Sequence, residues 1–180
     1  MKGGCYGNEV VMGMRLLKFF VVVLAVVTVT QFFSKDISQV SAGENVYVVD
    51  GDSFEIDGKR IRLVGIDSPE YKQYCYNAKH QKYNCGIKAK EYMENMVFSR
   101  RVECKEESVD MYGRSLSVCF ADGKNLNEEM IRAGWALAYR DEGSKYASLE
   151  HEAKADKRGV WQGRFMRPEL YRFLTKRKNS

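Results

Sequence analysis

Histidine, proline and tryptophan are scarce in this chain, with two of each in 180 residues. His80 and His151 stand far apart with no partner in view, and no two cysteines form a C-x-x-C pair, which argues against a zinc centre. There is no internal repeat, no low-complexity segment and no long linker apart from the C-terminal tail. A marked excess of one charge is also missing. Beyond residue 42, 25 Lys and Arg face 22 Asp and Glu, a balance too mild to establish a nucleic-acid partner by itself. With 44% hydrophobic residues the chain can build a single core.

One long apolar run exists, at the N-terminus. LLKFFVVVLAVVTVTQFF extends to Phe33 behind Arg15 and Lys18, with no charge between Phe19 and Val29. That length suits the apolar region of a secretory signal and is short for a spanning helix. Val40, Ser41 and Ala42 offer a small-residue cleavage site. Residues 1–42 are therefore read as a signal peptide or an uncleaved signal anchor, 43–163 as the folded domain and 164–180 as a tail. The expected location is outside the cytoplasm, periplasmic or secreted, with membrane attachment only through the N-terminal segment. A monomer is expected.

Export suits the cysteines. Setting Cys5 aside leaves Cys75, Cys85, Cys104 and Cys119, an even number that reads as disulfides although four allow three pairings. Cys75 and Cys85 bracket a polar insert and would close a short loop. Cys104 and Cys119 lie on two strand-like runs that would face each other. The expected pairs are Cys75–Cys85 and Cys104–Cys119, each contributing about 2–4 kcal/mol.

The stretch from Val48 to Glu70, VVDGDSFEIDGKRIRLVGIDSPE, holds the densest pattern. Phe54 and Ile56 alternate with polar neighbours, as do Ile61 and Leu63, and Asp57-Gly58 between them predicts a hairpin with a primed turn. Asp50-Gly51 and Asp57-Gly58 read most simply as turns, and the arginines as a solvated face. Asp52, however, shares the parity of Phe54 and Ile56. It is expected at the edge of the core, where a carboxylate needs a partner such as a cation. Helical periodicity marks Gly86 to Ser99, Asn127 to Ala133 and Lys145 to Arg158, while Arg101 to Lys105, Arg114 to Phe120 and Ala136 to Tyr139 read as strands. Trp135 and Trp161 are expected to pack. From Arg164 to Ser180, six basic residues and one acid are interleaved with Phe165, Tyr171 and Phe173, a pattern that suits either a phosphate backbone or a tail docked by its aromatics.

DGDS, then RLVGIDSPE, then DMYGR at Asp110 to Arg114 resemble, in order and spacing, the thermonuclease or staphylococcal nuclease family, over about Glu44 to Gly163. The resemblance implies an α+β, mainly β fold: a five-stranded OB-type Greek-key barrel with three helices. It implies a Ca²⁺-dependent endonuclease acting on DNA and RNA, in which water cleaves the 5′ P–O bond and leaves 3′-phosphates. Asp52 and Asp67 match the calcium carboxylates, and Ser68 a position that lends its backbone carbonyl. Glu70 matches the proposed general base, and Arg62 and Arg114 the arginines that grip the scissile phosphate. Tyr112 and Tyr139 match tyrosines near the terminal phosphate and the base. These residue types suit the chemistry: hard oxygen ligands for Ca²⁺, planar two-pronged guanidinium donors for phosphate, and a carboxylate to take a proton from water. Met111 departs from a position where a phosphate-contacting lysine occurs, and Ser53 from a threonine. The alternative function is a non-catalytic OB-fold nucleic-acid-binding module.

Overall fold

Asp57 and Gly58 both take positive φ, 50° and 82°, so the primed turn expected between the alternating runs is present. It joins β3 (Ser53–Ile56) to β4 (Lys59–Leu63), paired antiparallel with Phe54 opposite Ile61. Asp52, Phe54 and Ile56 are all buried, as their shared parity requires. The computed structural model describes residues 40–43, 45–139 and 145–178, all within one compact unit that spans Ser38–Ser180. The apolar N-terminal run lies outside the described residues.

The described residues form a mixed α+β structure, mostly sheet, with four α-helices. Around the hairpin lie β1 (Val40–Gly43), β2 (Val46–Val48), β8 (Val102–Val109) and β9 (Ser115–Ala121), in the order β1-β8-β9-β4-β3-β2. The two ends of this path, β1 and β2, are consecutive in the chain. The sheet therefore curls round until one stretch of chain borders both of its edges. All pairs on the path are antiparallel except β4 with β9. Val40, Ser41 and Ala42 are registered against Lys105, Cys104 and Glu103, so cleavage after Ala42 would remove three of the four residues of β1.

Shorter ribbons complete the sheet structure: β5 (Ile66–Asp67) with β11 (Leu137–Ala138), β6 (Tyr74–Tyr76) with β7 (Lys82–Asn84), and β10 (Lys124–Asn125) on β9. Helix α1 (Cys85–Val97) begins at Asn84, whose side chain accepts from Ile87 N, and buries Ala89, Met93 and Val97. Helix α2 (Leu126–Arg132) starts with a reciprocal cap: Asn125 accepts from Glu128 N and donates to the Glu128 carboxylate. Helix α3 (Ala147–Ala155) follows, then α4 (Pro168–Lys178).

The last helix differs from the expectation of three. It stands where the sequence reading leaves a tail, with Pro168 in its first turn and Lys176, Arg177 and Lys178 in its last, the terminal residues a helix favours. The ribbons likewise exceed five strands, because runs of two or three residues are too short for alternation to register. Both disulfides join the expected partners, with Cys104 directly opposite Cys119 across β8 and β9. Trp135 and Trp161 pack against the apolar clusters, as expected.

Asn127 on α2 is fully buried and ties three segments together. Its Oδ1 accepts from Cys119 N at 3.1 Å, and its Nδ2 donates to Val64 O at 2.9 Å and Ser117 O at 3.3 Å. Asn127→Ala would strand the Cys119 amide and the Val64 carbonyl away from water. We expect a loss of about 2–4 kcal/mol in urea unfolding of the oxidised protein, whereas a loss below about 0.5 kcal/mol would contradict this role.

Candidate active site

Strand register brings together residues that are far apart in sequence. Ser53 pairs with Arg62 across β3 and β4, which sets Asp52 beside Arg62. The parallel pairing of β4 with β9 puts Ile61 opposite Ser115, so Arg114 enters β9 next to the same row. Leu137 pairs with Asp67 across β5 and β11, and Tyr139 N donates to Gly65 O at 2.9 Å, which delivers Tyr139 to the same end.

At the centre, Arg62 bridges two buried carboxylates. Its Nη1 donates to Asp52 Oδ1 at 2.6 Å and its Nη2 to Asp67 Oδ1 at 3.2 Å. Asp52 also accepts from Ser53 Oγ at 2.9 Å and, through Oδ2, from Ser68 N at 2.8 Å. Ser68 Oγ donates to Trp135 O, which fastens the turn after β5. Burial works against the Arg62 charge, but Asp52 and Asp67 outweigh it and hold its pKa above the ordinary value.

In front of this pair lies a cavity of about 710 Å³, whose lining includes Arg62, Glu70, Tyr112, Arg114 and Tyr139. Arg114 is held by Asp110, whose Oδ2 accepts from Nε at 2.8 Å and from Nη2 at 2.7 Å. Asp110 Oδ1 accepts from the amides of Tyr112 and Arg114, so one carboxylate fixes both the turn and the guanidinium. Burial opposes the ionised form of Asp110, but these hydrogen bonds outweigh it and lower its pKa. Met111 points into solvent, 89% exposed. Glu70 is held at its backbone, where its amide donates to Gln73 Oε1 at 3.2 Å.

The expected residues Asp52, Arg62, Asp67, Ser68, Glu70, Tyr112, Arg114 and Tyr139 thus gather at one place. Sequence reasoning missed others. Arg172 on α4 donates from Nη1 to Asp67 Oδ1 at 2.9 Å and Glu70 Oε1 at 2.8 Å, and from Nη2 to Asp67 Oδ2 at 2.9 Å. Its only sequence signal is the basic tail, which does not say where a side chain about a hundred residues from Glu70 will land. Asp50 was read as a turn residue, yet burial first, and then Asp52 beside it, push its carboxyl up to about 7. Gln73 is fully buried and links Glu70 N to Met166 O, which a lone glutamine in sequence does not announce.

Asp52 and Asp67 offer hard oxygens of the kind Ca²⁺ or Mg²⁺ takes. Burial also raises the Asp67 pKa, with Arg172 acting against it. Two buried carboxylates side by side repel each other, which a cation relieves, so the donor set fits a hard divalent ion. Among the described residues no group of three or more His, Cys, Asp or Glu converges as a metal cluster, and the two arginines hold the oxygens.

Arginines facing a cleft, backed by buried carboxylates at the end of a curled sheet, define a site suited to a phosphate-bearing ligand. Residues 60–163 match the staphylococcal nuclease homologue family, and the chain belongs to that family. Similar proteins include the succinoglycan biosynthesis protein ExoI of Rhizobium meliloti (strain 1021), 37% identical over 119 residues, which are 64% of this chain and 62% of that protein. An uncharacterized endonuclease of Escherichia coli O157:H7 is 36% identical over 126 residues, 66% of this chain and 76% of its own. A micrococcal nuclease of Shigella flexneri is 30% identical over 136 residues, 66% and 72% of the two chains. The chain therefore spans less than two thirds of the Rhizobium protein.

Gly86, in the first turn of α1, sets the position of Glu70. A Cβ there would fall 1.8 Å from Glu70 O and 2.9 Å from Tyr71 C, both backbone atoms. Gly86→Ala would gain about 1 kcal/mol of helix propensity but, because the clashes are with backbone, incur an overpacking cost of about 2–3 kcal/mol. We expect a net destabilisation of about 1–2 kcal/mol by thermal or urea unfolding, with the Glu70 backbone displaced. A variant as stable as the parent would contradict this close approach.

Proposed function

We propose that the protein is an exported, Ca²⁺-dependent endonuclease that hydrolyses phosphodiester bonds of DNA and RNA. The observation that carries this reading is the opening of Arg62, Arg114 and Glu70 onto one cavity, with Asp52 and Asp67 buried behind Arg62. Membership of the family and the nuclease names of two relatives support it. We read β1 and β2 as two parts of one bent strand. With β3, β4, β8 and β9 this makes five principal strands, the OB-type arrangement.

A guanidinium has five N–H donors. Arg62 spends Nη donors on Asp52 and Asp67, and Arg114 spends Nε and Nη2 on Asp110, so each keeps donors for a phosphate in the cavity. Held from behind by carboxylates, they are oriented before the substrate arrives, which is where electrostatic stabilisation of a developing phosphoryl charge is most effective. Glu70 accepts the proton of the attacking water as its oxygen bonds to phosphorus. The 5′ P–O bond breaks and the departing oxygen takes up a proton from solvent, leaving a 3′-phosphate. Asp52, Asp67 and the Ser68 carbonyl would hold Ca²⁺, which supplies Lewis-acid polarisation of the phosphate when bound. Tyr112, 59% exposed, and Tyr139, 40% exposed, line the cavity and offer ring faces to a nucleotide.

The test is digestion of single-stranded DNA and of RNA by the oxidised protein, with Ca²⁺ and with chelator. Cleavage should require the ion, and Glu70→Gln should lower kcat by about 10²–10⁴-fold, the range of a lost general base. Arg114→Ala should cost about 10²–10³-fold. Calcium-dependent binding without cleavage by the folded parent would favour the non-catalytic binding module instead.

A further inference from the structure

We propose that Arg172 is a resident cation of the site that a divalent ion must displace, so that the C-terminal helix and the metal compete for the same carboxylates. This rests on the calcium reading above. Arg172 takes both oxygens of Asp67 and one of Glu70, through three hydrogen bonds of 2.8–2.9 Å. Arg62 adds a third donor on Asp67, at Oδ1. A carboxylate has about four lone-pair directions, so three of those on Asp67 are already filled by guanidinium donors. A dication bonded to the same oxygens would meet the Arg172 charge at contact distance. Arg172 covers both Asp67 oxygens, so an ion that takes them displaces it, and one replacing the other keeps the carboxylates compensated.

The way α4 is attached suits such an exchange. Its approach is pinned: Tyr76 and Arg164 exchange backbone hydrogen bonds, Gln73 donates to Met166 O at 2.6 Å, and Tyr171 Oη donates to Lys72 O at 3.0 Å. Past that base, the large apolar side chains of the helix face outward, with Leu170 49%, Phe173 56% and Leu174 43% exposed. Little apolar burial therefore holds its outer turns, and an element secured mainly by ion pairs opens at low cost. Burial works against the Arg172 charge, but Asp67 and Glu70 outweigh it and raise its pKa, so the guanidinium is not lost by deprotonation. With Arg172 seated on the carboxylates, both it and Lys176 line the cavity.

Coupling of this kind is reciprocal: what weakens the Arg172 contact tightens the ion, by the same factor. The test is calorimetric titration of Ca²⁺ into the full chain without nucleic acid, for the parent, Arg172→Gln, Arg172→Lys and Arg177→Gln. Arg172→Gln should bind Ca²⁺ about fivefold or more tightly. Arg172→Lys, which keeps charge but not the two-pronged grip, should fall between. Arg177→Gln removes the same charge from the same helix without touching the carboxylates and should match the parent. In the parent, Ca²⁺ should also speed amide hydrogen exchange in residues 168–178. Unchanged or weaker affinity in Arg172→Gln, an equal gain in Arg177→Gln, or unchanged exchange would each overturn the proposal while leaving the calcium reading intact. No calcium binding by the folded parent would overturn both.

Discussion

A carboxylate taken out of water needs a cation or several donors close by, and Asp52 and Asp67, 2% and 5% exposed, both rely on Arg62. Arg62 can reach both because β4 lies between β3 and β9 in the sheet, with Asp67 arriving on the short strand just after it. Removing Arg62 would take from the buried Asp52 the cation that pairs with it, so the arginine is both a structural keystone and the proposed phosphate grip. The two demands agree, because the carboxylates that need a cation for burial also hold the guanidinium in place. The cavity faces one side of this pair and the core lies behind the other.

Arg114 repeats the same device on a smaller scale. Asp110 fixes both its turn and its guanidinium, so each arginine facing the cavity is backed by acid from behind. Glu70 differs. Its backbone is set by Gln73 and by the close approach of α1 at Gly86, while its carboxylate is reached by Arg172. The group proposed to move a proton is thus the one whose partner sits on the least buried helix of the unit.

Much of this was legible in the sequence. Alternation across Asp57-Gly58 gave the hairpin, and the parity of Asp52 with Phe54 and Ile56 placed a carboxylate at the core. The spacing of Cys104 and Cys119 about the DMYGR turn gave a cross-strand disulfide that the structure contains. What stayed hidden was long-range. No local period reports that Asn127 will bond to Val64 and Cys119, or that Arg172 will land on Asp67. The fourth helix was missed because its apolar residues face solvent, so the usual reading of a buried stripe failed. Asp50-Gly51 reads in the sequence as a turn, whereas Gly51 has no positive φ and instead makes room for Ser68 Oγ and Ala89 Cβ, 2.1 and 2.9 Å from where a Cβ would lie.

The most direct measurement is the calcium affinity of the parent against Asp67→Asn, by calorimetry on folded, oxidised protein. The neutral amide keeps the shape of the site and removes the shared carboxylate at its centre. The account predicts one ion bound per parent chain and a loss of at least about tenfold in affinity, or about 1.4 kcal/mol, in the variant. Equal affinity in the two proteins would contradict it, since the ion would then be held somewhere other than the carboxylates that Arg62 joins.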